Sequence, residues 1–186
     1  HTNFQRYLIS RIFYSSCLSG MGLYAVYCQE KFNFELSEAG VFTVITVICA
    51  AISSYLAGKI GDKYGHKNSM VLAYVGHLLA ALIAMNAWNM YGVYLIFIAI
   101  GIGQGAFMPS AMNLIYDFSS KNDAKTYMAL VDSILAPFVL FYLLLIGWLV
   151  NDGNYAISLN ILIGSLLIGS LALVFLVHDS KKGKVI

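Results

Sequence analysis

Gly58-Lys59-Ile60-Gly61-Asp62-Lys63-Tyr64-Gly65-His66-Lys67 lies between two long apolar segments, and its reading decides the rest of the chain. It has the makings of a helix end (Gly58, Gly61), a carboxylate and a tight basic turn, and none of these belongs in hydrocarbon. Outward from it, apolar spans are predicted at roughly 8–28, 40–58, 69–87, 91–115, 126–150 and 155–177. The chain is 60% hydrophobic and 11% charged, with a mean hydropathy of +0.76. Soluble domains carry about a quarter charged residues, so this composition excludes a water-facing surface and makes a bilayer the solvent. At about 20 residues per span, 186 residues leave room for six helices and short loops.

The connections are distinct in charge. Glu30, Lys31, Glu35 and Glu38 lie between the first two spans, Trp88-Asn89-Met90-Tyr91 joins the third and fourth, and Asn151-Asp152-Gly153-Asn154 is a tight turn before the last. Arg6, Arg11, Lys59, Lys63, Lys67, Lys121, Lys125, Lys181, Lys182 and Lys184 all fall on one side of a six-span arrangement. Of the 11 Lys and Arg residues, Lys31 alone falls on the other. The positive-inside rule then predicts a multi-pass protein of the cell membrane with both termini cytoplasmic. Tyr27, Trp88, Tyr91, Trp148 and Tyr155 are expected at the outer interface, and Tyr7, Tyr64, Tyr116 and Tyr127 at the inner one.

Cys17, Cys28 and Cys49 stand in apolar stretches without metal-type spacing and read as small buried hydrophobes. No cleavable leader is visible, and His1 is not a natural start, so the chain is expected to be a fragment, a processed product or a trimmed sequence. There is no intramembrane protease nucleophile motif, no His-x-x-x-His pair and no filter-like re-entrant segment, so an enzyme or a channel is not expected. The glycines at 101–105 lack the strand, helix and water that a phosphate loop needs. Gly101-x-x-x-Gly105 reads instead as a close helix-packing face, and no cofactor, metal or nucleic-acid partner is expected.

Asp62 falls at the C-terminal end of the second helix, where the macrodipole is already negative and a carboxylate needs a balancing partner. Lys63 or the N-terminus of another helix packed on the loop supplies it, and such a contact would hold the cytoplasmic side closed in one conformation. The candidate gating loop is therefore Gly58, Asp62, Lys63, Gly65 and Lys67, against the plainer reading of a hydrated turn.

Gly-x-x-x-Asp-Lys-x-Gly-x-Lys resembles the cytoplasmic loop signature of the major facilitator superfamily, which joins the second and third helices of a six-helix half. Residues Asn3 to Arg11 resemble the start of that family's seventh helix, and Gly101 to Ala111 its glycine-rich tenth. Asn113 to Asp117 with Lys121 to Lys125 resembles the exit of the tenth helix and the loop after it, and Ala136-Pro137 through Trp148 the eleventh. Gly101 stands where some members carry a fourth-helix arginine, and Ala136-Pro137-Phe138-Val139 lacks the Gly-Pro-x-x-Gly-Gly pattern of many antiporters. Both absences favour a C-terminal half. The resemblance implies an all-α six-helix half of a secondary transporter that moves a small organic solute by alternating access. Its partner is then an N-terminal half or a second copy. The alternative is a non-transporting membrane subunit with the same fold.

Polar groups inside spans are expected to face a cavity or a partner. Arg11, Ser15, Ser19, Gly22 and Gln29 share a face of the first helix, and Ala106, Ser110, Asn113 and Asp117 a face of the fourth. The resemblance makes these helices cavity-lining, with Arg11, Asn113, Asp117 and Asp132 as the substrate or proton path. Asp132 lies about 10 Å inside the fifth span. There burial would raise its pKa for proton coupling, or Arg11 or Lys125 would pair with it. Gln104 projects opposite to Asn113. His77 and Asn86 are expected to pack, and Pro109 and Pro137 to permit bends.

Overall fold

The computed structural model describes residues 2–119 and 123–178, and Lys121, Lys181, Lys182 and Lys184 lie outside them. The described chain is helical: α1 (Thr2–Phe32), α2 (Leu36–Tyr64), α3 (His66–Asn86), α4 (Met90–Phe118), α5 (Ala124–Asn151) and α6 (Tyr155–Leu176). Five of them, α2 to α6, are long and apolar enough to cross a membrane. By that measure α1 falls short, because its inward face carries Ser10, Arg11, Ser15, Ser16 and Ser19, all buried among other helices. Hydropathy registers what a helix shows to lipid, and α1 packs on α6, α5, α4 and α3.

Helices α1 to α5 are longer than the predicted spans, and α6 matches its own within a residue. At 1.5 Å per residue, the 29 residues of α2 and of α4 reach roughly 44 Å, well beyond a hydrocarbon core of about 30 Å. Backbone hydrogen bonding does not stop where hydropathy does. α2 therefore runs through Gly58 and Gly61, and the expected helix end at those glycines is corrected to Gly65. Gly65 has φ 97, a conformation that favours glycine, and its N–H donates to Gly61 O at 3.0 Å. α3 starts at the next residue.

Other ends follow local chemistry. Glu35 N donates to Glu38 Oε2 at 3.0 Å at the start of α2, and the Asn89 side chain accepts from Gly92 N at 3.1 Å at the start of α4. Gly153, at φ 73, turns α5 into α6.

Two clusters fill the bundle. One joins Tyr7, Tyr14, Met70, Tyr74, Leu114 and Leu166; the other, towards the opposite end, joins Leu23, Phe42, Ala84, Ile96, Leu159 and Leu162. Small residues set the approach of α4. A Cβ on Gly101 would lie 2.7 Å from Cys49 Cβ, and one on Gly105 2.6 Å from Ala50 Cα, so α2 and α4 meet backbone to backbone. A Cβ on Gly76 would lie 2.6 Å from Gly103 Cα, which brings α3 equally close on the other side. The helix-packing reading of Gly101 and Gly105 thus holds, with Gly103 and Gly76 added to it. Cys17 and Cys28 are buried, Cys49 is half-buried, and all three are free thiols.

Tyr7 is fully buried, and its hydroxyl donates to Ala111 O at 3.4 Å, so it belongs to the core and not to an interfacial belt. Trp88, Tyr91 and Trp148 are largely exposed.

Candidate functional site

α1 and α5 hold the charges that matter. Arg11 is nine residues beyond Thr2, and Asp132 eight beyond Ala124, roughly 13 and 12 Å from the starts of their helices. Tyr7 and Tyr14 stand four residues before and three after Arg11, on the same helical face. The Phe107 ring of α4 lies 4.5 Å from Arg11 Cζ, and the rings of Tyr14 and Tyr7 lie at 5.9 and 6.0 Å. Tyr14 stacks on Phe107 at 4.6 Å between centroids.

This aromatic cage leaves Arg11 only 8% exposed, with Nε and Nη1 buried and without a hydrogen-bond partner. A desolvated cation–π contact contributes about 2 kcal/mol, while taking an ion out of water costs several. The rings alone leave the guanidinium short of a counter-charge.

Arg11 and Asp132 line one cavity of about 340 Å3 between α1 and α5. Tyr14, Ser15, Leu18, Leu135, Leu140 and Leu143 form much of its remaining wall. Asp132 is exposed in this chain. Ser19 Oγ donates to Val139 O at 3.2 Å and ties the two helices together.

The other expected path residues do not join this cavity. Asn113 and Asp117 are half-buried on α4, and Asp117 Oδ2 is buried without a partner. Ser110 shares no face with them in function: its Oγ donates to Ser69 Oγ at 2.8 Å, across to α3. Gln104 lines a separate cavity of about 280 Å3 with Met21, Thr43, Thr46 and Phe97, which agrees with its projection away from Asn113. Gly22 and Gln29 are exposed.

The Gly58–Lys67 stretch divides by role. A Cβ on Gly61 would press on the His66 ring, whereas one on Gly58 would meet nothing within 4 Å. Asp62 and Lys63 are exposed, with Lys63 Nζ 5.0 Å from the centre of the Tyr64 ring. Lys67 reaches the C-terminal end of α6, where its Nζ donates to Val174 O at 2.7 Å and Val177 O at 2.6 Å. Asn3 Nδ2 donates to His178 O at 2.7 Å, and Arg6 Nη1 to Leu176 O at 3.3 Å. Cations at the last carbonyls of a helix are favourable, so Lys67 and Arg6 stabilise this end of α6.

Behind Arg11 runs a buried polar network that sequence reading missed. Ser10 Oγ and Tyr74 OH are 2.6 Å apart, and Ser10 Oγ donates to Gly169 O at 2.8 Å. Tyr14 OH lies 3.1 Å from His77 Nδ1. His77 is buried in this packing, as expected. Tyr7 and Tyr14 were within reach of the i−4, i+3 spacing from Arg11; Phe107 and Tyr74, on other helices, were not.

This arrangement is that of a multi-pass helical membrane protein with glycine-packed walls and a cavity between helices that holds opposite charges. The Major Facilitator Superfamily profile matches residues 7–186. The chain belongs to that superfamily, a family of transporters. A search of curated proteins returns no match.

Proposed function

We propose that this chain is the C-terminal six-helix half of a major facilitator transporter, carrying a small organic solute by alternating access, with both termini in the cytosol. The observation that carries this reading is the cavity shared by Arg11 and Asp132, a charged site at similar depth on two helices of a family transporter. Asn113 and Asp117, which lie on α4 outside that cavity, are assigned to a continuation of the path. Asp62, Lys63, Gly58, Gly65 and Lys67 form the gate.

Rocking one half against another needs an opposing wall, so transport requires an N-terminal half or a second copy of this chain. Reconstitution tests this. Uptake by liposomes that hold this chain as a proven monomer would sink the partner requirement. Asp62→Asn combined with Asp132→Asn in the active transporter is expected to lower solute flux at least tenfold. Unchanged flux would remove both residues from gating and coupling, and no flux from any assembly would favour a non-transporting subunit. Orientation is tested separately: a membrane-impermeant amine reagent applied outside intact cells is expected to reach Lys31 and to miss Lys63 and Lys67.

A further inference from the structure

A buried cation with two unpartnered nitrogens and an exposed carboxylate border the same cavity. Among the described residues they are the only charged ones on its wall, and Nε and Nη1 of Arg11 have no hydrogen-bond partner there, Asp132 included. If Asp132 served only to neutralise Arg11, these nitrogens would be where it acted. They are instead left over inside the aromatic cage, while Arg11 and Asp132 both stand on the cavity wall from opposite helices. A purely anionic solute would satisfy Arg11 but bring its charge up against Asp132; a purely cationic one would meet the reverse. A neutral solute would leave both charges uncompensated.

We infer that the cavity between α1 and α5 binds a zwitterionic solute of the α-amino-acid type with an apolar side chain. Its carboxylate is held by Arg11 and its ammonium by Asp132. The size fits: about 340 Å3 is at the lower end of the range for small-molecule pockets. The wall fits too, because Leu18, Leu135, Leu140 and Leu143 offer apolar contact beyond the two charges. The Phe107, Tyr14 and Tyr7 rings hold the guanidinium in place before the solute arrives, so little ordering is left for binding to impose. This inference rests on the transporter reading for its biological use but not for its test.

The test is an isosteric series on the purified full-length protein in detergent: L-leucine, 4-methylpentanoate, which lacks the ammonium, and 3-methylbutylamine, which lacks the carboxylate. The readout is the concentration dependence of the thermal unfolding midpoint. Leucine is expected to stabilise the protein, and each truncated analogue to bind at least tenfold more weakly, as loss of a charge-assisted contact implies. Asp132→Asn, at an exposed position, is expected to abolish the preference for leucine over 4-methylpentanoate while leaving the protein folded. Arg11→Gln should remove the response to both carboxylates, and Arg11→Lys should retain part of it. Equal binding of leucine and 4-methylpentanoate, no leucine response, or a leucine response indifferent to both Arg11→Gln and Asp132→Asn would each overturn the proposal. A leucine response without leucine counterflow in proteoliposomes would support the site and remove the transport reading. Counterflow of another solute with no leucine response would do the reverse.

Discussion

The α2–α4 wall and the α1–α5 wall use opposite packing rules. Across the first, Gly101 and Gly105 let α4 lie directly on the backbone of α2, and Ser53 Oγ donates to Ile102 O at 2.7 Å. At these glycines the two backbones leave no room for a side chain, and the small cavity that Gln104 and Thr46 line lies beside them. Across the second, Ser19 bridges to Val139 but bulky leucines and a charged pair hold the helices apart around a cavity. Dispersion and interhelical hydrogen bonds, the forces that join helices in lipid, favour the tight wall, and the loose wall forgoes part of both. A bundle that keeps one wall loose leaves room beside two charges, which the glycine contacts of the other wall do not.

The sharpest break of this contrast is Gly105→Val. Its Cβ would sit 2.6 Å from Ala50 Cα and 2.7 Å from Ala50 C, where only backbone movement gives relief. A loss of about 3 kcal/mol of stability is expected, at the upper end for overpacking. Leu140→Ala, at a largely exposed place on the cavity wall, should shift the unfolding midpoint far less. Thermal unfolding in detergent compares the two directly, and equal shifts would mean that both walls are tight.

Much of the tight wall is legible in the chain. Glycines four apart on an apolar span mark a packing face from spacing alone, and Gln104 and Asn113 part company because nine residues of helix turn them half a revolution. Five of the helices are legible for the same reason, since lipid contact demands long apolar runs, whereas the buried polar face of α1 lowers its hydropathy. Their ends are not: α2 extends to Tyr64 because hydrogen bonding continues in water once a helix is formed, and hydropathy carries no trace of that. The loose wall is harder still. Arg11 and Asp132 are visible as intramembrane charges, but their shared cavity and the Phe107 ring beneath the guanidinium depend on how three helices meet. Ser110 illustrates the limit from the other side. It has the spacing of a cavity residue, and a hydroxyl on α3 claims it.

Lys67 sharpens the comparison at the end of the bundle, where neither wall decides the packing. Its two bonds to the last carbonyls of α6 make it a helix cap supplied by α3. Lys67→Met keeps the apolar stem and removes the charge, and a loss of about 1–2 kcal/mol is expected from the missing charge-assisted bonds. Amide hydrogen exchange should rise over the last turn of α6 and stay unchanged over α2. An increase spread over both helices would make Lys67 part of the fold of the proposed gate.

Gly58 gives the smallest effect and the finest discrimination. It belongs to the same α2 helix as the residues under Gly101 and Gly105, yet a Cβ there meets nothing within 4 Å. In a helix interior glycine is less favourable than alanine by roughly 0.5–1 kcal/mol, so Gly58→Ala is expected to stabilise this chain by about 0.5 kcal/mol. Gly61→Ala, one turn on, presses the His66 ring and should destabilise instead. The informative measurement is the same pair in the two-part assembly that the proposed function calls for. If Gly58→Ala loses its benefit there while Gly61→Ala keeps its penalty, the open face at Gly58 is occupied in the assembly, and the glycine belongs to a contact between halves. Should Gly58→Ala stabilise both forms equally, that face stays in lipid or water throughout, and Gly58 drops out of the gate.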